Sequence, residues 1–139
     1  MTILVDANVL SEATKERPNP NVVEWLREHD RELVIDPIVL GELRFGILIL
    51  PSSLRRSRLE TWFDEGIGRL HCLPWEAATG TRWAQLVADL RASGTSMPIK
   101  DSMIAATALI HGLAVATRNL RDFDRAGITT IDPFDSGID

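Results

Sequence analysis

Cysteine is almost missing from this chain: Cys72 stands alone among 139 residues. No disulfide framework and no multi-thiolate zinc site can therefore form within one copy, and a reducing cytoplasm is the expected compartment. Long apolar runs are missing as well, none approaching the ~20 residues a membrane span needs. The opening MTILVDANVL has too short an apolar stretch and no basic leader to read as a signal peptide. There is no internal repeat, low-complexity tract or linker. These absences set aside secreted scaffolds, membrane proteins and disordered tails. Basic charge is short too, with 15 Lys and Arg against 20 Asp and Glu and a net charge of −5. Taken alone, that argues against a nucleic-acid partner. The total is only an average, however, because acids gathered around metal ions would leave the rim basic.

What is present is an ordinary globular balance, 45% hydrophobic and 25% charged, at a length that suits one domain over residues 1–139. Thr2–Val5 reads as a buried strand ending at Asp6. Asn21-Val-Val-Glu24 has capping-box spacing, with Trp25 and Leu26 on the apolar side. Glu32–Ile35 gives a second strand, and Asp36-Pro37 reads as an N-cap followed by proline at the first helical position. Val39, Leu40, Leu43 and Ile47 then recur at core-face spacing. A charged helix follows over roughly Leu54 to Glu65, then a short strand over Leu70–Leu73. A long helix carries Ala78, Trp83, Leu86, Val87 and Leu90 and closes at Gly94. Pro98-Ile-Lys-Asp101 opens a helix whose Ile104, Ala108 and Leu109 face inward, before strands at Leu113–Thr117 and Ile128–Ile131. Apolar strands alternating with helices imply an α/β fold, a parallel sheet covered on both faces.

In such a sheet, ligands collect beyond the carboxyl ends of the strands, where the strand order reverses. Asp6 leaves the first strand at that edge. Thr117, Arg118 and Asn119 leave the fourth, and Asp122 follows closely. Glu42 rides on the helix after the second strand, and Asp101 opens the helix before the fourth. The topology brings these acids to one mouth, where they would raise one another's pKa unless a cation compensates them. Oxygen ligands without imidazole or thiolate suit Mg²⁺ or Mn²⁺. Phosphodiester hydrolysis is the reaction class that follows.

Leu4-Val-Asp6-Ala-Asn8-Val-Leu, Gly41-Glu42-Leu43, Asp101-Ser-Met-Ile-Ala-Ala and Thr117-Arg-Asn119-Leu-Arg-Asp122-Phe123 resemble, in order, the blocks of PIN-domain ribonucleases. Asn8-Val-Leu-Ser-Glu12, Gly41-Glu-Leu-Arg-Phe-Gly46 and Ile104-Ala-Ala-Thr-Ala-Leu109 resemble the VapC/FitB-like branch of type II toxin–antitoxin systems. The resemblance implies a five-stranded parallel sheet in an α/β/α sandwich. It implies a metal-dependent endoribonuclease that uses Mg²⁺ or Mn²⁺, held by Asp6, Glu42, Asp101 and Asp122. Thr117 and Asn119 would support the site and Asn8 would brace the first loop. It further implies a homodimer and a VapB-like antitoxin that obstructs the site, their complex binding operator DNA.

Around this set the residues leave several readings open. Glu12 either helps the site or pairs with a surface base, and Asp122, like Asp124, could belong to a turn. Asp36 reads as an N-cap rather than a fifth ligand. Gly41 and Gly46 each weaken their helix, which points to close backbone approach or helix packing. Arg44, Lys100, Arg118 and Arg121, with Lys15 and Arg17, lie nearer the mouth than the Arg55, Arg56 and Arg58 cluster and are the candidates for RNA contact. His29, His71 and His111 read as surface or helix-end residues, Cys72 as a small core residue, and the tryptophans as packing. A phosphatase with Asp6 as nucleophile would want a second acid where Asn8 stands. A phosphorylated receiver would want an adjacent acid pair at the first strand. The remaining alternative is a PIN-like module that binds RNA or protein without cutting, and the intact acidic set argues against it.

Overall fold

The computed structural model describes residues 1–135, so the last four positions of the expected domain, 136–139, lie outside the described residues. Its strands are β1 (Ile3–Val5), β2 (Leu33–Ile35), β3 (His71–Cys72), β4 (Ala114–Ala116) and β5 (Thr130–Ile131). All are parallel, in one five-stranded sheet of order β3-β2-β1-β4-β5. Between them run α1 (Ala7–Glu12), α2 (Pro20–His29), α3 (Pro37–Leu48), α4 (Leu54–Glu65), α5 (Ala77–Ala92), α6 (Ile99–His111) and α7 (Leu120–Arg125). Ile3 pairs with Leu33 on one side and Ala114 on the other, so β1 is the central strand. Ile3, Leu4 and Val5 are wholly buried, which requires both faces of the sheet to be covered.

The strands are shorter than their apolar runs. Flanking residues still bond across the ladder: Leu73 N donates to Ile35 O at 2.7 Å and Thr117 N to Ile131 O at 3.0 Å. The expectation that every strand is apolar fails at the sheet's edges. His71 is exposed and Thr130 is only half-buried, as suits strands with one neighbour.

Local chemistry fixes the helix ends. Asn19, not Asn21, caps α2, accepting from Asn21 N at 2.8 Å with Pro20 at the first position. The cap-plus-proline signal therefore overrides the capping-box spacing two residues later. Asp36 caps α3 as read, accepting from Val39 N at 2.9 Å. Gly112 ends α6 at φ +65, a left-handed conformation that glycine adopts without a Cβ penalty.

On α5, Leu86 and Leu90 are buried, but Ala78 and Val87 lie at the surface and Thr79 takes the inward position. The expected apolar stripe was too wide. Asp122 lies in a helix, α7, rather than a turn, and the wholly buried Phe123 anchors that helix to the core. At the other extreme, α4 contributes no buried residue. No helix among the described residues is long and apolar enough to cross a membrane.

Candidate metal centre

The chain builds β1, β2 and β3 outward in one direction and then returns to place β4 on the other side of β1. Residues leaving β1 and β4 therefore meet at the reversal point. Asp6 ends β1 and caps α1, its Oδ1 accepting from Ala7 N at 2.7 Å. Its Oδ2 accepts from Thr117 Oγ1 at 2.8 Å and from Asn8 Nδ2 at 3.3 Å. Thr117 Oγ1 in turn accepts from Asn119 N at 2.9 Å, and Asn119 Nδ2 reaches Asp101 Oδ2 at 3.4 Å. Arg118 N donates to Asn8 Oδ1 at 3.1 Å, closing the β1 loop onto the β4 loop. Asn8, Thr117 and Asn119 thus link two of the acids through a continuous set of bonds.

The acids sense one another. Burial pushes the Asp101 carboxyl up to about 6, and the charges of Asp6, Asp122 and Glu42 push in the same direction. Burial also raises Glu42, with Asp6 adding to the shift and Lys100 offsetting it. Asp6 is raised by burial despite the bonds from Thr117 and Ala7. Asp122 is half-buried on α7, with Arg125 Nη1 3.7 Å from its Oδ1.

The donor chemistry fits a hard divalent cation. The ligating atoms would all be carboxylate oxygens, and Glu42 Oε1 is buried with no hydrogen-bond partner. Among the described residues no three His, Cys, Asp or Glu side chains are gathered closely enough to hold an ion as they stand. The acids are neighbours rather than a finished cage.

Of the expected basic contacts, Lys100 is close enough to Glu42 to influence it, and the Arg118 guanidinium lies 4.6 Å from the Phe134 ring centre. Arg44 is turned over Phe63 at 5.5 Å, while Arg121 is exposed. Glu12 is committed elsewhere. It is buried, accepts from Asn19 N at 3.0 Å and pairs with Lys15 at 2.8 Å, which lowers its pKa. That closes the loop after α1 instead of adding an oxygen to the site.

Close backbone approach does not explain the two glycines of α3, since a Cβ on Gly41 or Gly46 would meet nothing within 4 Å. Both border open space beside Glu42. Gly46 lines a groove of about 400 Å³ between α1, α3 and α4, and Gly41 a smaller one with Phe45 and Lys100.

Two features escaped the sequence. Phe134 accepts from Asn21 Nδ2 through its carbonyl at 3.1 Å while its ring supports Arg118; nothing local marks it. The second is a bond from Thr107 Oγ1 to Asp36 Oδ2 at 2.7 Å. Here a signal existed, because Thr107 interrupts the otherwise apolar run Ile104 to Ala108.

Comparison with known proteins gives this geometry a family. The PIN domain profile matches residues 3–128. The chain is 34% identical to the VapC ribonuclease Y4jK of Sinorhizobium fredii over 96% of its own length and 98% of that protein's. It is 33% identical to toxin FitB of Neisseria gonorrhoeae over 95% and 98%. A solved structure of FitAB bound to the IR36 DNA fragment superposes with a TM-score of 0.90 at 29% identity, over 96% of each chain. The acids at the mouth of a parallel sheet thus stand on a known scaffold, and the chain belongs to the PIN-domain family.

Proposed function

We propose that this chain is a Mg²⁺- or Mn²⁺-dependent endoribonuclease, the toxin half of a VapBC-like type II toxin–antitoxin pair acting in the cytoplasm. The observation that carries the reading is a concentration of carboxylates that the nearby cations, Lys100 beside Glu42 and Arg125 beside Asp122, do not neutralise. Glu42 Oε1 has no partner, and Asp101 is held at about 6 by burial and by three neighbouring acids. Asp6, Glu42, Asp101 and Asp122 would hold the ion. When bound, a divalent cation polarises the phosphodiester and lowers the pKa of a water. Thr117 and Asn119 orient Asp6 and Asp101, and Asn8 fixes the loop between them. Lys100 and Arg118 supply positive charge at the mouth for the RNA backbone.

The similarity to FitB and FitAB supports a VapB-like antitoxin partner whose complex with the toxin binds operator DNA. The groove running from Glu42 past Gly46 to Arg55 and Trp62 offers that partner a place to obstruct the site. For the homodimer, Phe45, Ile49 and Ile99 are apolar side chains left more than half exposed and available to a second copy.

The test is to incubate antitoxin-free protein with total RNA from its host, with Mn²⁺, with Mg²⁺ and with chelator, and to map the 5′ ends of the products. Discrete cuts that need the metal and are absent from a folded Asp101→Asn protein are the expected result. No cuts from folded, inhibitor-free protein would replace this reading with a non-cleaving RNA- or protein-binding module.

A further inference from the structure

One buried chain of hydrogen bonds lies beside the acids and ends on none of them. Asp36 is wholly buried, closes β2 and caps α3, its Oδ1 accepting from Val39 N at 2.9 Å. Its Oδ2 accepts from Thr107 Oγ1 at 2.7 Å, and Thr107 is equally buried on α6. Thr107 Oγ1 in turn accepts from Trp75 Nε1 at 3.1 Å. Each polar group has a definite use: indole N–H to hydroxyl, hydroxyl to carboxylate, carboxylate to helix cap.

The placement of this chain matters. Asp36 precedes Glu42 by six residues, and Thr107 follows Asp101 by six, roughly 9 Å of helical rise in each case. The two helices touch, and the Asp36–Thr107 bond joins them directly. An N-cap alone does not need an anion, because serine or asparagine caps as well without the cost of burying a charge. What the acid adds over a neutral cap is a short, charge-assisted bond to the neighbouring helix. Trp75, from the segment before α5, braces the far side of that bond.

We propose that Asp36, Thr107 and Trp75 are positioning residues that fix α3 against α6 and thereby present Glu42 and Asp101 to the same divalent cation. This inference rests on the reading that those acids hold the ion.

Thr107→Val keeps the shape and removes the hydroxyl, Trp75→Phe cuts the chain one bond further out, and Thr107→Ser restores the donor. Full-length, antitoxin-free proteins are compared for Mn²⁺ binding by calorimetry, for thermal midpoint, and for kcat and KM on RNA. Thr107→Val is expected to weaken Mn²⁺ binding about tenfold. At limiting Mn²⁺ it lowers kcat and leaves KM for RNA within about twofold. Trp75→Phe moves Mn²⁺ affinity less in the same direction, and Thr107→Ser returns it to the wild-type value. If Thr107→Val does not fold, Trp75→Phe carries the test. Unchanged Mn²⁺ affinity in the folded variants, with only a lower thermal midpoint, overturns the inference and leaves the ribonuclease reading intact. A wild-type protein that neither binds Mn²⁺ nor cuts RNA overturns both.

Discussion

Asp6 and Asp36 occupy the same kind of place. Each ends a buried strand, each caps the helix that follows, and each accepts a threonine hydroxyl from a distant segment, at 2.8 Å from Thr117 and 2.7 Å from Thr107. Burial raises the pKa of both. Their surroundings differ. Asp36 is closed in by Val39 N, Thr107 and, beyond it, Trp75. Asp6 stands among other acids, and its charge raises both Glu42 and Asp101. The same local grammar therefore serves a structural tie at the end of β2 and a candidate cation site at the end of β1. What separates them is the company brought by α3, α6 and α7, which no local window contains.

The largest effect should come from neutralising each acid in turn. Asp6→Asn keeps the cap while removing a carboxylate charge from the candidate cation site, and should reduce RNA cleavage by about three orders of magnitude, roughly 4 kcal/mol of barrier. Asp36→Asn should keep cleavage within about tenfold. Cleavage rates on one defined RNA, with circular dichroism to confirm folding, decide it. Equal losses in the two variants would erase the distinction between site and tie.

Stability sharpens the comparison with opposite signs. Asp36→Ala strips a cap and leaves Thr107 and Val39 N without their acceptor, a loss of about 2–4 kcal/mol. Asp101→Asn should instead stabilise the metal-free protein at pH 7. The folded pKa of Asp101, about 6, lies above the ordinary aspartate value of 3.8. Folding therefore disfavours the ionised form: stability falls as pH rises from about 4 through about 6, and the full cost persists above that. The gain from Asp101→Asn is at most roughly 3 kcal/mol at pH 7 and should vanish below about pH 4. Urea titrations at pH 4 and pH 7 with chelator present read it directly. Added Mn²⁺ should stabilise the wild type and narrow its gap to Asp101→Asn, because a ligand that binds only the folded state stabilises it. A variant less stable than wild type at pH 7 without metal would mean that Asp101 is not held against its ionisation.

Much of this was legible in the sequence because several strong local signals agreed. Asp36-Pro37 marked the start of α3, Gly112 the end of α6, and the apolar runs the strands. The candidate acids were legible for a different reason: Asp6 ends an apolar strand, while Glu42, Asp101 and Asp122 ride on helices and stood out through the resemblance of their sequence blocks. What stayed hidden was set by partners far along the chain. Glu12 could not be assigned until Asn19 and Lys15 were seen to occupy its oxygens. The glycines of α3 weaken a helix but do not announce what they leave room for, and here they border open grooves. Asp122, read as one of the acids, could also have belonged to a turn because six residues give little periodicity; it lies on α7, whose Phe123 is wholly buried.

The smallest expected effect concerns the rim, where the two strand ends differ again. On the Asp6 side, Arg118 is held from two directions, by its backbone bond to Asn8 and by Phe134 beneath its guanidinium at 4.6 Å. A cation over an aromatic ring near the surface gains about 0.5–1 kcal/mol, enough to bias where a long side chain rests without fixing it. Phe134→Leu keeps an apolar residue and the carbonyl that Asn21 holds, but removes the ring face. If Arg118 meets the RNA backbone, its looser placement should raise KM for RNA about threefold, leave kcat nearly unchanged and leave Mn²⁺ affinity where it was. Steady-state kinetics beside calorimetry separate the outcomes. A change in Mn²⁺ affinity with KM unmoved would show that Phe134 acts on the acids through Asn8, making the rim part of the metal centre rather than a contact of its own.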